Sequence, residues 1–414
     1  MEKARLSNFV KSLLVLSMIG PLLTGCWDRL EIEERAIVLG VSIDSVSQEN
    51  EEEEDEVTHI KDTIPVPEGQ MIRVGVQIAI PGRIPLGPGE SGGGGGGKGG
   101  GEQTVWVIDV VGHSVDDAFM NLQQQMSSRL FFGHLRVIVV SEELAARGLE
   151  NVNDYFRRNS EVRRMAWMVV SKGKAKAFME AAPKLERVPT LYLMTTVEEA
   201  IRMGKFPKDF IGIYWSNTSK KGQEGFLPYV ELKKEQNVEI SGLAFFKGAK
   251  MVGVSKPLEI GAFLAIKGIN PAGYRAFVKL DGTKETVMIA STHRKSKFGV
   301  RFQNGRPHFT IHIALDINLE EKMSDSLNLN DPKIIRRIEQ TEAEASNRFG
   351  MEFIRKSQEF DSDIFGFGEY VRAKKPGYWN RNVRSAQKWQ EIYKDASFEV
   401  ITQVRVRRVG MKAR

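Results

Sequence analysis

The chain has 414 residues, 41% hydrophobic and 27% charged, which is ordinary globular material and long enough for more than one buried core. Its single cysteine, Cys26, excludes an intramolecular disulfide, a Cys-X-X-Cys couple and a thiolate metal cluster. A formal net charge of +6 is mild over this length; it suits a surface facing anionic lipid, and no nucleic-acid partner is expected.

Lys3, Arg5 and Lys11 precede an apolar run from Leu13 to Leu23, which closes on Leu23-Thr24-Gly25-Cys26. As a helix that run spans about 16 Å against roughly 30 Å of bilayer hydrocarbon, so it reads as the core of a secretion signal rather than a membrane span. The ending is a lipobox. Residues 1–25 are expected to be removed as a lipoprotein signal peptide, leaving Cys26 at the head of the mature chain with an S-diacylglyceryl and an N-acyl group. Two tails anchor stably where one is marginal. Cys26 is the one site residue nominated.

Residues 26–205 read as a mixed α/β domain. Ala36–Asp44, Arg73–Ile80, Val105–Val111, Leu135–Val140 and Met165–Ser171 are short apolar, β-branched runs of buried-strand type, with Arg73–Ile80 and Val105–Val111 expected to pair. Two loops interrupt them: residues 45–70, where Glu49–Glu56 is almost unbroken acid, and residues 87–101, glycine from Gly92 to Gly101 except for Lys98. The acid run repels itself and lacks EF-hand spacing; the glycine run lacks the strand-to-helix setting of a phosphate loop. Ser114 caps a helix whose face carries Phe119, Leu122, Met126 and Leu130. Further helices are expected at Glu142–Arg147, Val152–Arg158, Lys174–Ala181 and Leu191–Met203.

Periodicity fades over residues 206–235, amid Pro207, Gly212, Gly222, Gly225 and Pro228, and an inter-domain segment is placed there. Residues 236–414 then switch to period two. Hairpins are expected for Glu239–Phe246 with Lys250–Val254, for Tyr274–Leu280 with Glu285–Thr292 across Asp281-Gly282, and for Lys297–Gln303 with Pro307–Leu319 across Asn304-Gly305. Phe309, Ile311, Ile313, Leu315, Ile317 and Leu319 form the inward face of an antiparallel sheet. Asp331-Pro332 starts a long covering helix over 331–357, which Gly350 should weaken, and Phe398–Val406 returns as a last strand. The fold class is therefore α+β or mixed α/β, in several domains.

His308 and His312 lie roughly 13 Å apart on a strand, too far to share an ion. His134 follows a glycine at an element junction, where a hydrogen-bonded structural role fits best. Asp361 and Asp363 beside a glycine turn fit capping, and Trp379 and Trp389 fit core or interface packing. With no nucleophile elbow, His-Glu-X-X-His or Walker loop, no catalytic, cofactor-binding or metal site is assigned, and no enzyme is expected.

Cys26-Trp27-Asp28-Arg29, Glu31-Ile32 and Ala36–Asp44, followed in order by Gln77-Ile78 with Pro81, Phe132-Gly133-His134, Glu143-Leu144-Ala145 with Gly148-Leu149, Leu185-Glu186 with Pro189, Gly242–Lys247, Asp363–Gly368 and Trp379 with Trp389, resemble the Ger(x)C family. These are the lipoprotein subunits of spore germinant receptors. The resemblance implies a three-domain α/β body on the outer face of the spore inner membrane, held by acylated Cys26 beside a membrane-embedded A subunit and a transporter-like B subunit. The acidic and glycine loops are longer than the family pattern. Which germinant is sensed, and whether this subunit touches it, is left open. The alternative is a lipoprotein that captures a small solute for a transporter, which needs a deep cleft between two lobes.

Overall fold

The computed structural model describes residues 34–46, 71–80, 104–181, 188–280, 285–323 and 327–410, with positions 17 and 186 besides. Cys26 and its signal peptide, the Glu49–Glu56 run, the glycine run and Asp281-Gly282 lie outside the described residues.

Two sheets organise the chain. β1 (Arg35–Ser45), β2 (Ile72–Ala79) and β3 (Val105–Gly112) pair antiparallel, and of these pairings the sequence predicts that of β2 with β3. α1 (Val115–Gln124) follows, with the Ser114 hydroxyl accepting from the Asp117 amide. It stops sooner than expected: Met126 lies beyond its end, and Leu130 belongs to β4 (Arg129–Phe131), a short strand parallel to β1. Helical spacing alone could not distinguish that strand from another helical turn.

β5 (Val137–Ser141) is buried along its whole length. The helices α2 (Glu142–Arg147) and α3 (Glu150–Arg158) come next, then β6 (Trp167–Ser171), buried throughout. β1, β5 and β6 run parallel at the middle of the sheet, which is why their sequences are continuous apolar runs rather than alternations. Ile138, Val140, Met168 and Val170 face one core, while Val137, Val139, Trp167 and Val169 face another under α4 (Lys176–Glu180) and α5 (Pro189–Arg202).

Residues 206–235, read from sequence as a connecting segment, are a correction. They carry α6 (Ile211–Thr218) and β7 (Phe226–Leu232), and β7 continues the large sheet parallel to β6. Pro228 is tolerated in this interior strand because β6 meets β7 only at Tyr229 and Val230, leaving the start of β7 unpaired on that side. The hairpin of β8 (Val238–Lys247) and β9 (Lys250–Val254) forms as expected but extends the same sheet, in the order β3-β2-β1-β5-β6-β7-β8-β9.

After α7 (Pro257–Lys267), the second sheet is β10 (Arg275–Lys279), β11 (Thr286–Gln303), β12 (Arg306–Lys322) and β13 (Ser397–Arg408). Asn304 and Gly305 both take positive φ, 51° and 78°, so the tight turn forms where the dipeptide places it. The two stretches expected as separate strands, Glu285–Thr292 and Lys297–Gln303, are one 18-residue strand. They read as two because a register shift between Ser291 and His293 reverses the phase of the alternation. Val287, Ile289 and Ser291 face inward before it; Arg294 faces inward after it. β13 returns to this sheet as expected, but parallel to β12, so the second sheet is antiparallel in three strands of four.

α8 (Pro332–Glu359) covers this sheet, with the Asp331 carboxylate accepting from the Lys333 amide and Pro332 in the first turn. Gly350 does not break it. It is buried against Val400 of β13, where the helix lies on the sheet. α9 (Phe367–Lys374), α10 (Pro376–Asn382) and α11 (Ala386–Lys394) complete the chain before β13. One core joins the sheets: Phe226, Leu243 and Phe245 of the large sheet pack with Phe263, Phe309, Phe353 and Phe365.

Candidate functional site

Of the residues considered from sequence, Cys26 lies outside the described residues. His308 Nδ1 sits 2.8 Å from the Ser397 hydroxyl, His312 is exposed on the wet face of β12, and His134 meets the Phe131 ring edge-on at 6.0 Å. Among the described residues no group of three or more His, Cys, Asp or Glu side chains is placed to hold a metal ion.

Asp363 is the organising residue of the joint between the two sheets. It is 2% exposed, and its carboxylate accepts from the amides of Gly366 (2.8 Å), Phe367 (3.1 Å) and Gly368 (2.9 Å) and from the Trp389 indole N–H (2.9 Å). Burial pushes its pKa up to about 6 against the pull of those four donors. Every lone-pair direction is occupied and no solvent reaches it, so the carboxylate holds a turn rather than moving protons for a substrate. Trp379 and Trp389, both buried, lie 5.9 Å apart beside it, which bears out core packing for this pair.

The same turn grips the large sheet. The Asp363 carbonyl accepts from the Glu224 amide at 2.9 Å, the Glu369 amide donates to the Gly222 carbonyl at 2.9 Å, and the Ser362 hydroxyl donates to the Phe246 carbonyl at 2.6 Å. Glu224 in turn accepts from the Gly248 amide and from Gln390. Gly222 and Gly368 let the backbones meet: a Cβ on Gly222 would lie 2.4 Å from the Gly368 carbonyl carbon. Sequence reading singled out the 361–368 stretch but not Glu224 and Gln390, whose partners are far away in the chain.

A second feature was missed entirely. α7 and α8 splay over the second sheet and leave a cavity of about 330 Å³. Small residues line it from both helices, Gly261 and Ala265 on α7 and Ala345 and Ser346 on α8. Two large apolar side chains, Leu258 (62% exposed) and Phe277 (63% exposed), stand among the residues that line it. Its charged residues are Arg294 and Glu342, with the exposed Arg275, Arg348 and Glu352 at its solvent side. Arg294 is 2% exposed and donates from Nη2 to the carbonyls of Gly204 (2.9 Å) and Pro271 (3.1 Å), while its Nε has no partner among the described residues. Burial lowers its pKa to about 10, so it is charged at neutral pH. Burial raises the pKa of Glu342, which accepts from the Ser346 hydroxyl at 3.0 Å. The phase break at Ser291–His293 was the sequence signal for Arg294, because it alone turns a cation inward.

Two mixed α/β bodies joined through a buried carboxylate turn define the class. The fold resembles the crystal structure of the GerBC protein, with a TM-score of 0.52 at 17% identity, covering 83% of this chain and 96% of that one. Residues 28–232 match the spore germination protein N-terminal domain, and residues 241–410 match the spore germination B3/GerAC-like C-terminal domain. Spore germination protein KC of Bacillus subtilis (strain 168) is 24% identical over 423 residues, 97% of this chain and 95% of its own length. Spore germination protein GerQC of Bacillus cereus is 24% identical over 312 residues, 75% of this chain and 84% of its own. The chain belongs to the Ger(x)C family of spore germination proteins.

Proposed function

We propose that the chain is the C subunit of a spore germinant receptor, anchored through acylated Cys26 to the outer face of the spore inner membrane. It acts without catalysis, in receptor assembly and germination signalling, beside membrane-embedded A and B subunits. The observation that carries this reading is order along the chain: a lipobox ending at Cys26, then two germination domains in succession over 28–232 and 241–410. Two acyl tails supply the anchoring, and the described body supplies surfaces.

Affinity purification of the tagged chain from detergent-solubilised spore membranes tests it. Two integral membrane partners are expected to copurify with it, and a chain recovered free of both would overturn the assignment. Cys26→Ala should prevent acylation and move the chain out of the detergent phase. A solute-capturing lipoprotein, the alternative, needs an open cleft between lobes; here Phe226 and Phe245 pack against Phe263 and Phe353 across the joint, filling that space.

A further inference from the structure

We propose that the wedge between α7 and α8 is a binding site for a small apolar carboxylate, with Arg294 meeting the anionic head and the two helices enclosing the hydrocarbon body. The volume, about 330 Å³, falls at the lower end of small-molecule pockets, which span roughly 300–1,000 Å³. Its walls are predominantly aliphatic and small, as a hydrocarbon requires, and Leu258 and Phe277 extend them toward solvent.

Of the three arginines that line the cavity, Arg275 and Arg348 are exposed and Arg294 is buried, so Arg294 identifies the head group. Arg294 forms no ion pair among the described residues, and its two backbone acceptors carry no charge. A buried guanidinium in that state is costly, and a carboxylate is the planar anion that matches its fork of donors. The β-bulge before Arg294 is the device that aims it: without the shift, the neighbouring His293 would take the inward place and Arg294 would face solvent. Glu342 does not neutralise it; that carboxyl bonds to Ser346 on its own helix, and its burial favours the uncharged form. The site is independent of the anchored-subunit reading, since a body without ligand would still copurify with its partners.

Calorimetric titration of the purified full chain in non-ionic detergent tests the proposal. Hexanoate and leucine represent the two sources of such a head group, a free fatty acid and an amino acid, and hexanamide is the neutral isostere. Saturable one-to-one binding of either carboxylate, at least about tenfold tighter than the amide, is expected. Arg294→Met should erase that preference. Ala345→Leu, which fills the cavity from α8 without touching the charge, should abolish binding while leaving the melting temperature within a few degrees. Absence of saturable carboxylate binding, equal binding of hexanamide, or binding unchanged in Ala345→Leu would each overturn the assignment.

Discussion

Asp363 and Arg294 are both buried charges in the C-terminal half of the chain, each 2% exposed, and they are treated in opposite ways. Around Asp363 the turn supplies three donors and the Trp389 indole a fourth to two oxygens, and the same turn pins Gly222 and Glu224, which lead into β7, and Phe246 of the large sheet. Around Arg294 only one nitrogen is shown bonding, to two neutral carbonyls, and an apolar cavity lies alongside. A buried charge whose hydrogen bonds are complete specifies structure. One left short of a counter-charge beside open space is available to a ligand.

Removing the first charge should have the largest effect. Asp363→Ala leaves the amides of Gly366, Phe367 and Gly368 and the Trp389 indole without an acceptor; a loss of about 3–5 kcal/mol is expected in a denaturant titration. A loss below about 1 kcal/mol would mean the turn is held by packing alone.

Proton linkage sharpens the same contrast. The folded pKa of Asp363, about 6, exceeds its ordinary value of 3.8, so the folded state holds the proton more tightly. The resulting stabilisation is full below about pH 4 and is lost as pH rises through about 6, on the order of 3 kcal/mol. Burial raises Asp44, Asp209, Glu224 and Glu342 as well, with the same sign. The difference between wild-type and Asp363→Asn melting curves across pH 4–7 isolates the contribution of Asp363, and a flat difference would contradict it.

Arg294→Met should behave quite differently from Asp363→Ala. A side chain of similar length without the charge gives up two hydrogen bonds and relieves an unneutralised buried cation, so stability should stay within about 1 kcal/mol of wild type. A loss as large as that of Asp363→Ala would make Arg294 a structural brace and erase the distinction. The smallest effect belongs to Lys247→Ala. Its 3.0 Å ion pair with Asp361 crosses the joint, but both side chains are solvated, so less than about 0.5 kcal/mol should be lost in the same titration.

Much of this architecture is legible in particular residues. The Asp331-Pro332 start of α8, the Asn304-Gly305 turn, the Ser114 cap and the inward row from Phe309 to Leu319 all form as their local chemistry dictates. Capping, positive φ and period-two burial involve neighbours in the chain, so the residues that decide them lie side by side. The candidate site was less legible. Asp363 stood out through its glycine-rich surroundings, but Trp389 and Glu224, which lock its turn in place, lie 26 and 139 positions away.

By itself the sequence determined the kinds of elements, the mixed α/β class and, through the ordered motifs from Cys26 to Trp389, the spore-germination family. Only the tertiary structure decided that residues 206–235 continue the first sheet, that β13 lies parallel to β12, and that Arg294 faces a cavity. The reason is physical. Periodicity reports which side of an element is apolar, whereas the choice of neighbouring strand and the space between two helices depend on contacts between segments far apart in the chain, which local pattern does not encode.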